Sequence, residues 1–436
     1  MYNNRTQSKY RYSLVDIFLI LVILFLFFFI NQAWSKYNFS FDYWGMAEGN
    51  FSSVFQLYAD FKEGITFTQL LNIMSIGHGH GLVFPPLYFV YQTGVSYIIG
   101  SCSYSSVVLA NSLLFLLAAI FIYKIATILN DKKAGLIAVL ILSVYPGIYC
   151  ISRFCMIENA ITPIVAISIY FLIKSRNFLY TRYCSLFGLS LGLGLLTKQH
   201  FLIFVIGGVY YEIHLLFVQK KNKVGKNYKK YFNLIIILML LMPSIFYYVR
   251  NYNYQVLNYG LINYGNLNQN QGTNIKPGTL ASWLFYLFAL INYQTSLPLF
   301  IIFFIAFIWL IISTKKNKSY LHLILWILLP YFIFQIFEIK CARYTINYLP
   351  SCALISGLFI SQLKIKRFWI SFLVIIICIF GLIQNICFSF FDIQQKPLIT
   401  TDFFKNVGHL EIDGNIYPFS HNRDIRKPDY IKKIHF

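Results

Sequence analysis

Long apolar runs alternate with short polar punctuation along almost the whole chain. The run "LVDIFLILVILFLFFFI" from Leu14 and the run "FWISFLVIIICIFGLI" from Phe368 are each close to the roughly 20 residues a helix needs to cross a bilayer core. Helices rather than barrel strands are implied. The pattern predicts eleven crossings, at residues 14–32, 104–129, 134–150, 159–174, 183–197, 201–218, 232–249, 283–312, 320–337, 346–363 and 368–387. The apolar stretch from Pro85 to Gly100 is treated differently, because its Pro85-Pro86 start and short length suit a helix lying at the surface. Residues 1–387 are then one all-α membrane domain, with a first outer loop over 36–104 that carries juxtamembrane helices, and residues 388–436 an outer tail.

Charge fixes the orientation. Basic residues gather at Arg5/Lys9/Arg11, Lys132/Lys133, Lys174/Arg176/Arg182, Lys220 through Lys230, Lys315/Lys316/Lys318 and Lys364/Lys366/Arg367. If every cluster is cytoplasmic, each neighbouring pair encloses two crossings and one outer segment. That reading puts the N-terminus in the cytoplasm of a multi-pass cell-membrane protein. It also accounts for the net charge of +21 without nucleic acid as a partner. A composition 58% hydrophobic and only 12% charged excludes a soluble globule, since too little charged surface remains to face water.

The first run lacks a small-residue cleavage site and reads as a retained span. Cysteines show no metal-ligand spacing; Cys150 and Cys155 flank a polar turn and have the option of pairing, with unpaired packing the preferred reading. Gly188 and Gly192 place small residues on one helix face, which predicts close helix packing.

Ionisable residues at the outer helix ends carry the candidate chemistry, because charge at membrane depth is costly and tends to line a cavity. In "FDYWGMAEG", Asp42 is the candidate actor and Glu48 its support; as ordinary loop residues both would be solvated acids. In "GHGHGLVFPPLYFVY", His78 and His80 sit two apart, which suits a partial metal site or a solvated loop. In "SRFCMIEN", Arg153 and Glu158 share a short turn, where a structural ion pair between them is the plain alternative. "GLSLGLGLLTKQH" delivers Lys198 and His200 to the outer boundary, and "EIKCARYTINYLP" does the same for Lys340, Arg343 and Tyr344; a snorkelling lysine and an interfacial anchor are the bland readings. Carboxylates and several cations on one side of a membrane suit chemistry on an anionic lipid. Cations would hold its phosphate, and a carboxylate would take a proton from an incoming hydroxyl.

The motifs "FDYWGMAE", "FPPLYF", "SRFCMIENAI", "LGLGLLTK" and "ARYTINYLP", in that order, resemble the GT-C glycosyltransferases, in particular the branch of lipid A aminoarabinose transferase, protein O-mannosyltransferases and RgtA/B/C/D-like enzymes. The resemblance implies transfer of a sugar from a polyprenyl-phosphate donor to a hydroxyl acceptor on a glycolipid, lipopolysaccharide or protein, at the outer face and with inversion. It implies Asp42 as the catalytic aspartate and Glu158 as the acid of the second outer loop. Lys198, Arg153, Arg343 and Lys340 are then candidates for the donor phosphate, supported by Glu48, His80 and Tyr344. The chain departs from the family at Tyr43, where a second acid often stands, and at Phe84, where Lys or His is common. No nucleotide-binding motif is present and no cofactor is called for; a divalent metal is compatible but without assigned ligands. A flippase or transporter for lipid-linked glycans, or a polymerase or ligase of surface polysaccharide, are the rival readings.

Overall fold

The computed structural model describes residues 14–37, 45–76, 84–218, 224–252, 273–315 and 317–390. The described residues are mostly helical. α1 (Leu14–Tyr37) is followed by three short helices, α2 (Gly45–Lys62), α3 (Phe67–Ile76) and α4 (Leu87–Ile99), before the long α5 (Tyr104–Leu129). Then come α6 (Lys132–Val144), α7 (Pro146–Ile151), α8 (Glu158–Ser175), α9 (Thr181–Leu195), α10 (Phe201–Val218) and α11 (Val224–Arg250). The last part holds α12 (Leu280–Ala289), a π-turn (Leu290–Thr295), α13 (Leu297–Ser313), α14 (Leu321–Phe334), a 3₁₀ turn (Ala342–Tyr348), α15 (Leu349–Gln362) and α16 (Arg367–Phe390). A two-residue antiparallel pairing joins β1 (Thr273–Asn274) to β2 (Ile339–Lys340).

Local chemistry sets the boundaries. Ser103 caps α5 reciprocally with Ser106, and the Asp131 carboxylate accepts from the Ala134 N–H at 2.7 Å to start α6. Gly100 closes α4 in the left-handed region at φ 82°, where no Cβ penalty applies. α4 is only 13 residues long, shorter than a crossing requires, and packs on α2 and α5.

Five described helices are long and apolar enough to cross a membrane: those containing Phe18–Lys36, Tyr104–Leu129, Phe201–Val218, Tyr228–Arg250 and Phe368–Cys387. Their outward faces stay apolar; Phe25, Met239, Phe246, Phe368 and Trp369 are all more than half exposed. Lipid is the medium that such surfaces fit, and the protein is a multi-pass membrane protein. Two expected crossings are not continuous helices. The span expected over 134–150 breaks at Tyr145-Pro146, since proline cannot donate to the preceding turn. The span expected over 283–312 is interrupted by the π-turn and by Ser296 at φ 68°, a left-handed conformation that costs a non-glycine residue about 1–3 kcal/mol.

Gly188 and Gly192 bear out the packing expectation. A Cβ at Gly188 would stand 2.9 Å from the Ile237 Cα, and one at Gly192 would stand 3.1 Å from the Leu240 carbonyl, so α9 lies directly on the α11 backbone. All described cysteines, Cys150 and Cys155 included, are free thiols.

Candidate active site at the helix ends

α8 begins at Glu158, and a frame of side-chain amides holds the loop before it. The Asn159 amide donates to the carbonyls of Ile151, Phe154 and Met156, Asn111 to those of Ser152 and Phe154, and Asn50 from α2 to that of Cys155. A loop buried in a bundle must satisfy its carbonyls internally, and here asparagines do so. Glu158 is thereby presented on a rigid edge.

The turn between α9 and α10 brings Lys198 to it. Lys198 Nζ donates to Glu158 Oε1 at 2.9 Å, with both side chains about 95% or more buried. The Lys198 turn is anchored to the start of α4, where the Leu87 N–H donates to the Leu196 carbonyl. That contact puts the Phe84 ring 5.1 Å from Lys198 Nζ, with Tyr344 on another side at 5.8 Å. Aromatic faces attract a desolvated ammonium and replace part of its lost hydration.

Arg343 completes the cluster from the 3₁₀ turn. Burial alone would lower its basicity, but Cys341, Tyr344 and Glu158 around it outweigh that and hold the guanidinium above its ordinary value. Its segment is fixed from three sides. Gln294 on the π-turn donates to the Ala342 carbonyl at 2.5 Å and to Thr345 Oγ1 at 2.8 Å. Trp326 donates to the Asn347 carbonyl, and Thr162 donates to Asn347 Oδ1 at 2.8 Å. The same hydroxyl lies 3.1 Å from the Glu158 carbonyl, which shares its one hydrogen, so one hydroxyl registers the acid-bearing helix against the cation-bearing turn.

His200 lies in the same place, its ring near parallel to those of Phe334 and Tyr344 at 6.1 and 6.0 Å. Burial, and then the Lys198 charge beside it, push His200 down to about 3, so the ring is neutral. Lys340 donates to the Phe334 carbonyl at 2.7 Å and faces the Tyr286 ring; burial pushes it down to about 8. The arrangement is one buried carboxylate paired with Lys198, with the Arg343 guanidinium and an aromatic wall beside them, groups that are able to bind an anion.

The comparisons with known proteins bear on the fold that carries these residues. The family described as Dolichyl-phosphate-mannose-protein mannosyltransferase matches residues 84–247, the stretch holding Phe84, Arg153, Glu158 and Lys198. Among solved structures, ArnT from Cupriavidus metallidurans bound to undecaprenyl phosphate superposes with a TM-score of 0.60 at 13% identity, covering 90% of this chain and 68% of that one. The chain has the GT-C fold. The apo oligosaccharyltransferase of Archaeoglobus fulgidus shares the GT-C fold with a TM-score of 0.56 at 12% identity, over 93% of this chain and 61% of that one. No curated protein matches by sequence.

Within the GT-C fold, the structure brings together Glu158, Lys198, Arg343, Tyr344 and His200 of the residues singled out from sequence. Arg153 is engaged elsewhere. It does not pair with Glu158 across the turn; Nε donates to Asn31 Oδ1 on α1 at 2.9 Å and Nη2 to Asn385 Oδ1 on α16 at 2.7 Å, between the Trp34 and Tyr149 rings. Asp42, His78 and His80 lie outside the described residues, as does the tail beyond Phe390; Glu48 is on α2, but its side chain is not described. Among the described residues no group of three or more His, Cys, Asp or Glu could hold a metal ion. Sequence reading missed Thr162, Gln294, Asn347 and the asparagines of the loop frame. Their signal was an amide or hydroxyl inside an otherwise apolar run, as in "VVLANSLLF" around Asn111.

Proposed function

We propose that the protein is an integral membrane glycosyltransferase that moves a sugar from a polyprenyl-phosphate donor to a hydroxyl acceptor at the extracytoplasmic face of the cell membrane. The observation that carries this reading is the buried Glu158–Lys198 pair with the Arg343 guanidinium beside it, donor groups whose chemistry suits a lipid phosphate. Lys198 and Arg343 hold the donor phosphate and stabilise it as it departs. Glu158 orients Lys198. Asp42 takes the proton from the acceptor hydroxyl as the new glycosidic bond forms and the bond to phosphate breaks, in a single displacement with inversion. The acceptor is a surface glycolipid, lipopolysaccharide or protein.

A flippase for lipid-linked glycans is the second reading, favoured by one observation: Glu212 and His322, buried between two apolar helices. The assay that decides uses membranes with matched amounts of wild type, Asp42→Asn and Lys198→Gln and a panel of radiolabelled polyprenyl-phosphate sugars. Transfer by wild type and its loss in both variants supports the transferase. Movement of labelled lipid across the bilayer without transfer would overturn it.

A further inference from the structure

Near the opposite end of α10 and α14 from the candidate site, Glu212 and His322 form a second buried contact. Nε2 of His322 stands 2.9 Å from Glu212 Oε1, and both side chains are more than nine-tenths buried. The other ring nitrogen, Nδ1, is 3.1 Å from the Ser319 carbonyl oxygen. A carbonyl only accepts, so Nδ1 carries hydrogen. A neutral ring would then point the Nε2 lone pair at a carboxylate oxygen. The 2.9 Å contact therefore holds one further proton, on Nε2 as imidazolium or on Oε1 as carboxylic acid, and in either form the pair is neutral overall.

The surroundings are built around this contact. The Tyr211 ring meets His322 edge-on at 5.1 Å, and a Cβ at Gly208 would stand 3.5 Å from His322 Cδ2. The titratable groups facing Glu212 are His322 from α14, Cys184 from α9 and Lys230 from α11; Tyr211 on α10 faces His322. Lys230 donates to Asn177 Oδ1, and Asn177 donates to the Glu212 carbonyl at 2.7 Å. Asn177 lies in a turn where Arg176, Asn177 and Phe178 all have positive φ, at 48°, 58° and 58°. Three successive left-handed non-glycine residues persist only where neighbours over-determine them, and here Asn177, Lys230 and the Asn233–Phe178 hydrogen bond do so.

α10 and α14 are the helices that present the candidate site. Phe201 opens α10 directly after Lys198 and His200, about 16 Å along the helix from Glu212 at 1.5 Å per residue. Phe334 closes α14 beside His200 and leads to Lys340 and Arg343, about 18 Å from His322. We propose that the proton-loaded Glu212–His322 pair is a positioning device. It pins the inner parts of α10 and α14 and so fixes the spacing of the two cation-bearing segments at their outer ends. The positioning role rests on the transferase reading; the shared proton does not.

The test uses the full chain in lipid nanodiscs, comparing wild type, Glu212→Gln and His322→Leu. The proton is read directly, as an imidazolium nitrogen-15 signal lost in His322→Leu or a carboxylic-acid C=O infrared band lost in Glu212→Gln; finding neither overturns the shared proton. A glutamine at 212 donates its amide hydrogen to the neutral Nε2 and keeps the contact, whereas leucine at 322 removes it. In the transfer assay, His322→Leu lowers kcat by about 10-fold to 100-fold, the scale of small misplacements relayed to a site, and Glu212→Gln loses distinctly less. Unchanged kcat in folded His322→Leu overturns the positioning role. Wild type that transfers no sugar refutes the transferase reading and with it the positioning role, while the spectra still decide the proton.

Discussion

Two carboxylates are buried against a nitrogen at the same 2.9 Å, Glu158 with Lys198 just before α10 and Glu212 with His322 toward its far end. Their surroundings differ. Around Glu158 gather Arg343 and the faces of Phe84 and Tyr344. Around Glu212 the partner is an imidazole, Lys230 donates to Asn177 Oδ1, and hydrogen bonds from neighbouring segments close over the contact. Distance alone therefore does not separate a working ion pair from a holding one. The groups beside it do, because a guanidinium and aromatic faces suit a phosphate, and an imidazole packed between two helices suits a fixed contact.

Four changes break or sharpen that contrast. The largest effect falls on Asp42→Asn, which removes the proposed base and lowers kcat by about 10² to 10⁴-fold with donor affinity kept, measured by single-turnover sugar transfer. Next is Lys198→Gln, which strands the buried Glu158 charge and costs about 3–5 kcal/mol of stability as well as donor binding. The double variant Lys198→Gln/Glu158→Gln recovers most of that stability in thermal unfolding and none of the transfer. Gln294→Leu comes third. It removes the donor to Ala342 and Thr345, costing about 1–3 kcal/mol, and should raise the KM for donor more than it lowers kcat.

The smallest effect is a pH dependence at Lys340. Burial holds its ammonium down to about 8, below the ordinary lysine value of about 10.4. Between those values the unfolded chain binds the extra proton, so this group makes stability rise with pH through that window. Charge at the site is lost over the same window, and donor binding weakens above about pH 8. Lys340→Arg, whose charge persists, removes that weakening in a binding titration.

Much of this was legible before the fold. Hydrophobic runs located α1, α5, α10, α11 and α16, since helix length and lipid thickness are linked by simple geometry. Glu158, Lys198 and Arg343 were visible because charge at membrane depth is costly and stands out at the ends of such apolar runs. The break at Leu290–Ser296 was not, because a π-turn leaves hydropathy unchanged and shows only in backbone geometry. Arg153 misled for a different reason. Its partners Asn31 and Asn385 lie 122 and 232 residues away, and nothing local to "SRFCMIEN" reports them. Glu212 and His322, 110 residues apart, were not singled out in the sequence, because only the packing of α10 on α14 joins them.

The most direct test of the account is binding of undecaprenyl phosphate to the purified full chain in nanodiscs, compared among wild type, Lys198→Gln, Arg343→Gln and His322→Gln. The account predicts saturable binding by wild type, at least about 10-fold weaker binding in the Lys198 and Arg343 variants from loss of a charge-assisted contact, and affinity near that of wild type in His322→Gln. Equal affinity in all four proteins, or no binding by wild type, would contradict a phosphate site at the Glu158–Lys198–Arg343 cluster.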